Sequence, residues 1–282
     1  MRHIKIGRYD CFSLTDSFFR LDGGAMFGIV PKTIWNGFYD CDEKSRIRLA
    51  CTPLLIAGNG MVLLIEGGIG QVFKGNTKLE EIYAIERTDL LEEDLERTGY
   101  SPADITIVTC SHLHWDHSGT CCKFEDGRYV SRFPNAKYIF QKGEWETAMS
   151  VDPFTRASYI PESLEPIWRS GQLALIEGDY EINGEIRLIR SGGHTPHHQI
   201  FVLESDGEGL IFWGDIIPTS SHIHIPHIMA YDLNPAETYS FKERYLLSAC
   251  GKNYISAFPH DTNLGFGKIR FDGKKYLLAG GA

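Results

Sequence analysis

Apolar and polar positions along this chain keep two rhythms. Short runs with a period of two, rich in β-branched residues, read as strands; longer runs with apolar residues three and four apart read as helices. Residues 1–20 alternate loosely and end in Phe18-Phe19, which suits a strand pair. Residues 52–65 predict two strands joined at Gly58-Asn59-Gly60, and Glu66-Gly67-Gly68 breaks the second. Residues 105–109 form the β-branched run of a buried strand. Further strands are expected at 137–141, 173–176, 186–190, 200–203, 210–213 and 254–258, with a closing hairpin at 268–278 around Asp272-Gly273. Residues 89–98 predict a helix through Leu90, Leu91 and Leu95, with acids early and Arg97 late. Others are expected at 143–149 and at 235–247, where Pro235 holds a favoured first-turn position, with a short helix start at Ser101-Pro102. Residues 21–35 are glycine-rich yet carry Met26, Phe27, Ile29 and Trp35. They read either as a buried turn or as a flexible loop laying apolar side chains over a pocket. Strands and helices intermix without linker, repeat or low-complexity tract, so an α/β chain forming a single domain over residues 1–282 is expected.

Charge and composition narrow the partners. The formal net charge is −9, and phosphate backbones need basic surfaces, so nucleic acid is not expected as a partner. No apolar run approaches the roughly 20 residues that span a bilayer, and the opening MRHIKIGRYD lacks the apolar core of a signal peptide. No membrane association is expected. The seven cysteines are odd in number and follow no zinc-ribbon or redox spacing. They read as reduced thiols of a cytoplasmic protein. Cys121 and Cys122 read as small buried hydrophobes or as pocket lining.

The chemistry concentrates in Thr109 to Gly119, TCSHLHWDHSG, directly after an apolar strand. Imidazole and carboxylate are donors that zinc and similar metals take. Alternate residues of an extended segment point the same way, so His112 and His114 could reach one ion. Asp116 and His117, past the bend, could reach a neighbouring one. His194, Asp215 and His260 each follow a predicted strand, beside glycine or proline. Loops on one edge of a rigid sheet are where sites are built.

The series HLHWDH, GGHT, WGD and FPH resembles the metallo-β-lactamase superfamily over residues 112 to 260. The resemblance implies an αββα sandwich, two mixed β-sheets flanked by helices, with the site along one edge. It implies that His112, His114 and His194 hold a first metal, that Asp116, His117 and His260 hold a second, and that Asp215 bridges them. Two divalent cations follow, zinc by default, with manganese, iron or cobalt suited to the same donors. A shared hydroxide would attack a carbonyl or phosphoryl centre, with Asp116 as the catalytic proton shuttle.

The branch most similar is that of the lactonases and organophosphate hydrolases, which implies a small ester or lactone substrate: an N-acyl homoserine lactone-like molecule, an aryl ester or an organophosphate. Met26, Phe27 and Trp35 suit a greasy acyl or aryl group. His222, His224 and His227 could form another metal site, line the substrate cleft or sit on a hydrogen-bonded loop, and His222 and His224 are taken as cleft candidates. His197 and His198 read as supporting or surface residues. Asp261 either orients His260 or caps a turn. An exposed face on the early apolar loop would favour a homodimer. Two positions depart from the family: Glu66 stands where an aspartate is usual, and Pro218 stands where the lactonases place a tyrosine. The competing functions are a glutathione-thioester or persulfide enzyme, a phosphodiesterase, and a non-catalytic metal-binding regulator.

Overall fold

Two seven-stranded sheets frame the computed structural model, which describes residues 1–150 and 152–281. The first sheet runs in chain order through β1 (Arg2–Ile6), β2 (Tyr9–Ser13), β3 (Leu54–Gly58), β4 (Met61–Ile65), β5 (Ile107–Thr109), β6 (Lys137–Gln141) and β7 (Leu173–Ile176). Strands β1 to β4 pair antiparallel and β4 to β7 parallel. The second sheet runs through β8 (Tyr180–Asn183), β9 (Ile186–Arg190), β10 (Gln199–Ser205), β11 (Glu208–Phe212), β12 (Ile255–Ala257), β13 (Gly267–Phe271) and β14 (Tyr276–Gly281). All its pairs are antiparallel except β11 with β12.

The side-chain period of two explains the layering. Ile56, Leu63 and Ile65 of the first sheet meet Leu188, Phe201, Leu203 and Phe212 of the second in a core between the sheets. Their sequence neighbours Leu55 and Leu64 face outward, where they pack against Leu95 of Leu91–Thr98, Trp145 of Lys142–Met149 and Ile167 of Pro161–Arg169. Ile200, Val202 and Ile211 likewise face outward, under Phe241, Leu246 and Ala249 of the helix Pro235–Gly251. Both faces of the central strands are covered, so those strands read as nearly unbroken apolar runs. The result is an αββα sandwich of two mixed sheets. Among the described residues no helix is long and apolar enough to cross a membrane.

The turn between β3 and β4 has Asn59 at φ 50° and Gly60 at φ 73°, the two positive values of the favoured hairpin turn. The early strand pair is in fact three strands: Ser17–Asp22 leaves the first sheet and pairs with Arg46–Cys51. Residues 21–35 hold two short helices, Gly23–Phe27 and Lys32–Trp35, with Met26, Phe27 and Trp35 buried among Phe19, Leu49 and Met229. The buried-turn alternative describes them better than a flexible loop. The hairpin of Cys122–Glu125 with Arg128–Ser131 has short, mostly polar strands, and Pro161 and Pro166 obscure the period of the helix Pro161–Arg169.

Candidate metal centre

The functional edge lies past the C-terminal ends of β4, β5, β9, β11 and β12, from which the chain runs into Glu66, His112, His194, Asp215 and His260 respectively. After β5 the chain bends at Ser111 and His112, is extended at His114 and then makes one helical turn, Trp115–Ser118. That turn leaves the His117 ring beside His112, centroids 4.1 Å apart, and brings it near Asp116 and His260.

The seven residues meet in a buried knot. His112 Nε2 lies 2.8 Å from His114 Nδ1, which lies 3.2 Å from His194 Nε2. His117 Nε2 and His260 Nε2 are 3.2 Å apart, and Asp116 Oδ2 lies 3.8 Å from the first and 3.7 Å from the second. Asp215 spans the two halves. Its Oδ2 is 3.4 Å from His194, while its Oδ1 is 3.4 Å from His117 and 3.2 Å from His260. Three groups of donors, His112–His114–His194, His112–His117–Asp215 and Asp116–His117–His260, each lie close enough to hold one ion.

The outer nitrogens of these rings are committed elsewhere. His260 Nδ1 donates to the carbonyl of Ala50 at 2.9 Å, His194 Nδ1 to Asp232 at 2.9 Å, and His117 Nδ1 to Glu66 at 2.6 Å; His112 Nδ1 meets the Ser111 hydroxyl at 2.9 Å. With Nδ1 as donor, Nε2 carries a lone pair. When these rings are neutral, the Nε2 lone pairs of His117 and His260 therefore face each other at 3.2 Å. Asp215 Oδ1, buried in the same knot, has no hydrogen-bond partner. A cluster of facing acceptors is costly unless cations sit among them. The donor set therefore fits a pair of divalent cations.

Electrostatics divide the knot. Burial and the charges of neighbouring histidines hold His112 and His114 well below the usual histidine range. Burial also works against charge on His117, His194 and His260, but Asp215, joined by Glu66 at His117 and by Asp232 at His194, outweighs it and raises all three. Asp215 itself is desolvated, yet His117, His260 and His194 keep its carboxyl well below the carboxylate range.

Supporting residues came mostly from outside the motif. Glu66 takes the left-handed conformation, φ 70°, and its carboxylate accepts from both His117 Nδ1 and the Ser111 backbone N–H, the latter at 2.7 Å. The longer glutamate thus supports the metal loop. Asp232 accepts from His194 and, at 2.7 Å, from the Thr238 hydroxyl. Glu144 accepts from Leu113 N, Tyr159 Oη and Thr195 Oγ1. No sequence signal singled out Asp232 or Glu144; each is a lone acid whose partners are distant in the chain. His198 is fully buried, accepts from Asp215 N at 3.0 Å, and so orients that residue through its backbone. Its neighbour His197 packs on Gly143 instead. Asp261 accepts from Ser220 N and Oγ, the turn-capping alternative.

A cavity of about 400 Å³ opens onto His114, Asp116, His194, Asp215 and His260. Leu21, Met26, Tyr83, Trp115, Phe154 and Met229 supply much of its wall. Of the five cleft candidates, Met26 lines it. Phe27 and Trp35 stack on each other behind Met26. His222 is fully buried, stacked on Phe27 at 4.5 Å with Nε2 on the Met26 carbonyl. His224 packs against Phe38 and His227. The three histidines of that segment serve aromatic packing behind the wall.

The geometry has counterparts in known proteins. The model of the metallo-beta-lactamase superfamily matches residues 46–249. An N-acyl homoserine lactonase from Bacillus cereus is 32% identical over 142 residues, 50% of this chain and 46% of that protein. The N-acyl homoserine lactonase AttM from Azorhizobium caulinodans is 29% identical over 171 residues, 58% of this chain and 61% of that protein. The chain thus spans about half the length of the curated relatives it matches. The crystal structure of a "probable metal-dependent hydrolase" from Staphylococcus aureus superposes with a TM-score of 0.89 at 30% identity, covering 99% of this chain and 100% of that one. AidC, a dizinc quorum-quenching lactonase, shares the fold at a TM-score of 0.77 and 19% identity, covering 100% and 97%. On the sandwich, the ligand edge and the matched span together, this chain belongs to the metallo-beta-lactamase superfamily.

Proposed function

We propose that the chain is a single-domain, dinuclear-metal hydrolase of lactones and small carboxylic esters, working in a reducing compartment such as the cytoplasm. The observation that carries this reading is the cavity wall. Among the described residues it holds no lysine or arginine. Phosphodiesters and glutathione conjugates bring permanent negative charge, which is met by cationic side chains. A neutral ester or lactone, or a neutral organophosphate triester, asks only for apolar walls and a few polar contacts. The relatives named as lactonases support the same class, and the seven free thiols suit a reducing compartment.

His112, His114 and His194 would hold one cation and Asp116, His117 and His260 the other, with Asp215 between them. Two divalent ions held there, zinc by default, would supply Lewis acidity that acidifies water and polarises the substrate oxygen. The remaining work belongs to the chain. Met26, Trp115 and Met229 place the substrate against this edge and exclude bulk water. Asp116 lines the cavity beside His117 and His260, where its carboxylate takes a proton from the water and returns it to the leaving oxygen. The acyl carbon gains the water oxygen, the ester C–O bond breaks, and the alkoxide leaves as an alcohol. Asp232, Glu66 and the Ala50 carbonyl hold the imidazoles in the tautomer that points Nε2 inward.

The test is a pH-indicator assay of metal-loaded protein against lactones, aryl esters, thioesters, organophosphate triesters and phosphodiesters. Turnover of lactones or carboxylic esters is expected. It should fall about 10²–10⁴-fold in Asp116→Asn at equal metal content. Turnover confined to phosphodiesters or thioesters would overturn the substrate class.

A further inference from the structure

Lys242 is fully buried, a rare state for an ammonium. Its Nζ donates to two backbone carbonyls, that of His224 at 3.0 Å and that of His227 at 2.7 Å. It lies on the helix Pro235–Gly251, one turn beyond Thr238, so the two side chains share a helix face. Phe241, Leu246 and Ala249 anchor that helix on the second sheet, so its polar face is delivered at a fixed height. Thr238 reaches Asp232, which holds His194. Lys242 reaches the segment that leads into Met229, Ala230, Tyr231, Asp232 and Leu233, five consecutive residues of the cavity wall.

The downstream end of this wall is stitched by backbone bonds: Ala230 N to Ala25 O at 2.8 Å, Leu233 N to His194 O at 3.1 Å, and Asn234 N to Gly193 O at 2.8 Å. At the upstream end the chain makes a turn, His227 N to His224 O at 3.0 Å. The same two residues offer their carbonyls to Lys242. Without the Lys242 side chain, both carbonyls lose this donor. The helix thus carries two separate supports, one for a metal-edge histidine and one for the wall.

We infer that Lys242 is a positioning residue that fixes 224–228, the segment leading into the substrate-binding wall at 229–233, so that substrate affinity depends on it while the chemical step does not. This rests on the cavity being the site of ester or lactone binding proposed above. It does not require Lys242 to touch the substrate.

Hydrogen–deuterium exchange of the full metal-loaded chain, with Lys242→Met beside the wild type, tests it. Amides within 224–233 should exchange about tenfold faster, the scale of a lost buried hydrogen bond, while peptides holding 112–117 stay unchanged. KM for the best substrate should rise about tenfold with kcat within about threefold, the signature of lost uniform binding. Thr238→Val should behave oppositely, weakening metal retention through Asp232 and leaving the amides of 224–229 protected. Unchanged exchange at 224–233 in Lys242→Met, or acceleration spread evenly over the whole chain, would overturn the inference. Should Lys242→Met fail to fold, Lys242→Leu, which also removes the donor, is read the same way, and Lys242→Gln, whose NH₂ ends one atom short of Nζ, should accelerate the same amides by a smaller factor. Exchange is measured without substrate, so a wild type that turns over no ester or lactone would refute the proposed reaction while the exchange still decides the role of Lys242.

Discussion

Replacing Glu66 with glutamine keeps the shape of the side chain and removes one of its two acceptors. In the native chain each carboxylate oxygen receives a buried donor, His117 Nδ1 at 2.6 Å and Ser111 N at 2.7 Å. Glutamine has one carbonyl oxygen and one NH₂ group. Whichever way the amide turns, its NH₂ faces an N–H at hydrogen-bond distance. One buried donor is then left unsatisfied, which costs about 1–3 kcal/mol. At about 2–4 °C per kcal/mol for a domain somewhat smaller than this one, the melting temperature of metal-free protein should drop by about 2–10 °C. The metal edge suffers as well. If the amide turns its NH₂ toward His117, that ring loses the hydrogen bond that keeps Nε2 free and inward. Loss of such a support typically lowers metal affinity about 10–100-fold. Calorimetric melting of the metal-free form, together with chelator competition on the loaded form, measures the two effects separately. Equal melting temperatures and metal affinity within about twofold of wild type would refute the double-acceptor role. Glu66→Asp gives a second reading. Its shorter side chain reaches one donor at most from the same left-handed backbone, so it should resemble Glu66→Gln and not the wild type.

Two further outcomes follow from the same edge. Burial raises the Asp16 carboxyl from 3.8 to about 6, against hydrogen bonds from Gly70 N and Ser17 Oγ. The folded chain therefore holds that proton more tightly than the unfolded chain, and stability falls as pH rises from about 4 to about 6, by up to about 3 kcal/mol from this group. Asp16→Asn should lack that component in urea denaturation across the window, and parallel pH profiles for the two proteins would contradict the assignment. Gly214 has φ 52°, and a Cβ there would lie 2.6 Å from His198 Nε2 and from Ser111 Cβ. Gly214→Ala should therefore destabilise by about 1–3 kcal/mol and release metal more readily through displaced Asp215, read by denaturant midpoint and chelator competition; a variant matching wild type in both would show that the turn has slack.

Legibility in the sequence tracked the range of the interactions. The strands at 137–141, 173–176 and 186–190 appear where the apolar residues placed them, because such a run is a local property of the chain. The helix Leu91–Thr98 follows from its leucine spacing and its acids at the start. Ser17–Asp22 was harder, since leaving one sheet for a separate pairing with Arg46–Cys51 depends on a partner far along the chain. The histidines at 222, 224 and 227 show the same limit from the chemical side. Residue type alone cannot separate a ligand from a ring stacked on Phe27, and the aromatic surface that decides it comes from residues near 27 and 38.

By itself, then, the sequence determined the candidate donors and the apolar strands, because imidazole and carboxylate chemistry and strand periodicity are written within a few residues of each other. The tertiary structure decided which outer groups hold those donors, Glu66, Asp232 and the Ala50 carbonyl, and which side chains wall the cavity. Those roles arise where β4, β5, β9, β11 and β12 end on one edge and the outer helix reaches over it. Only the closing of two sheets face to face brings residues so far apart in the chain within hydrogen-bond distance.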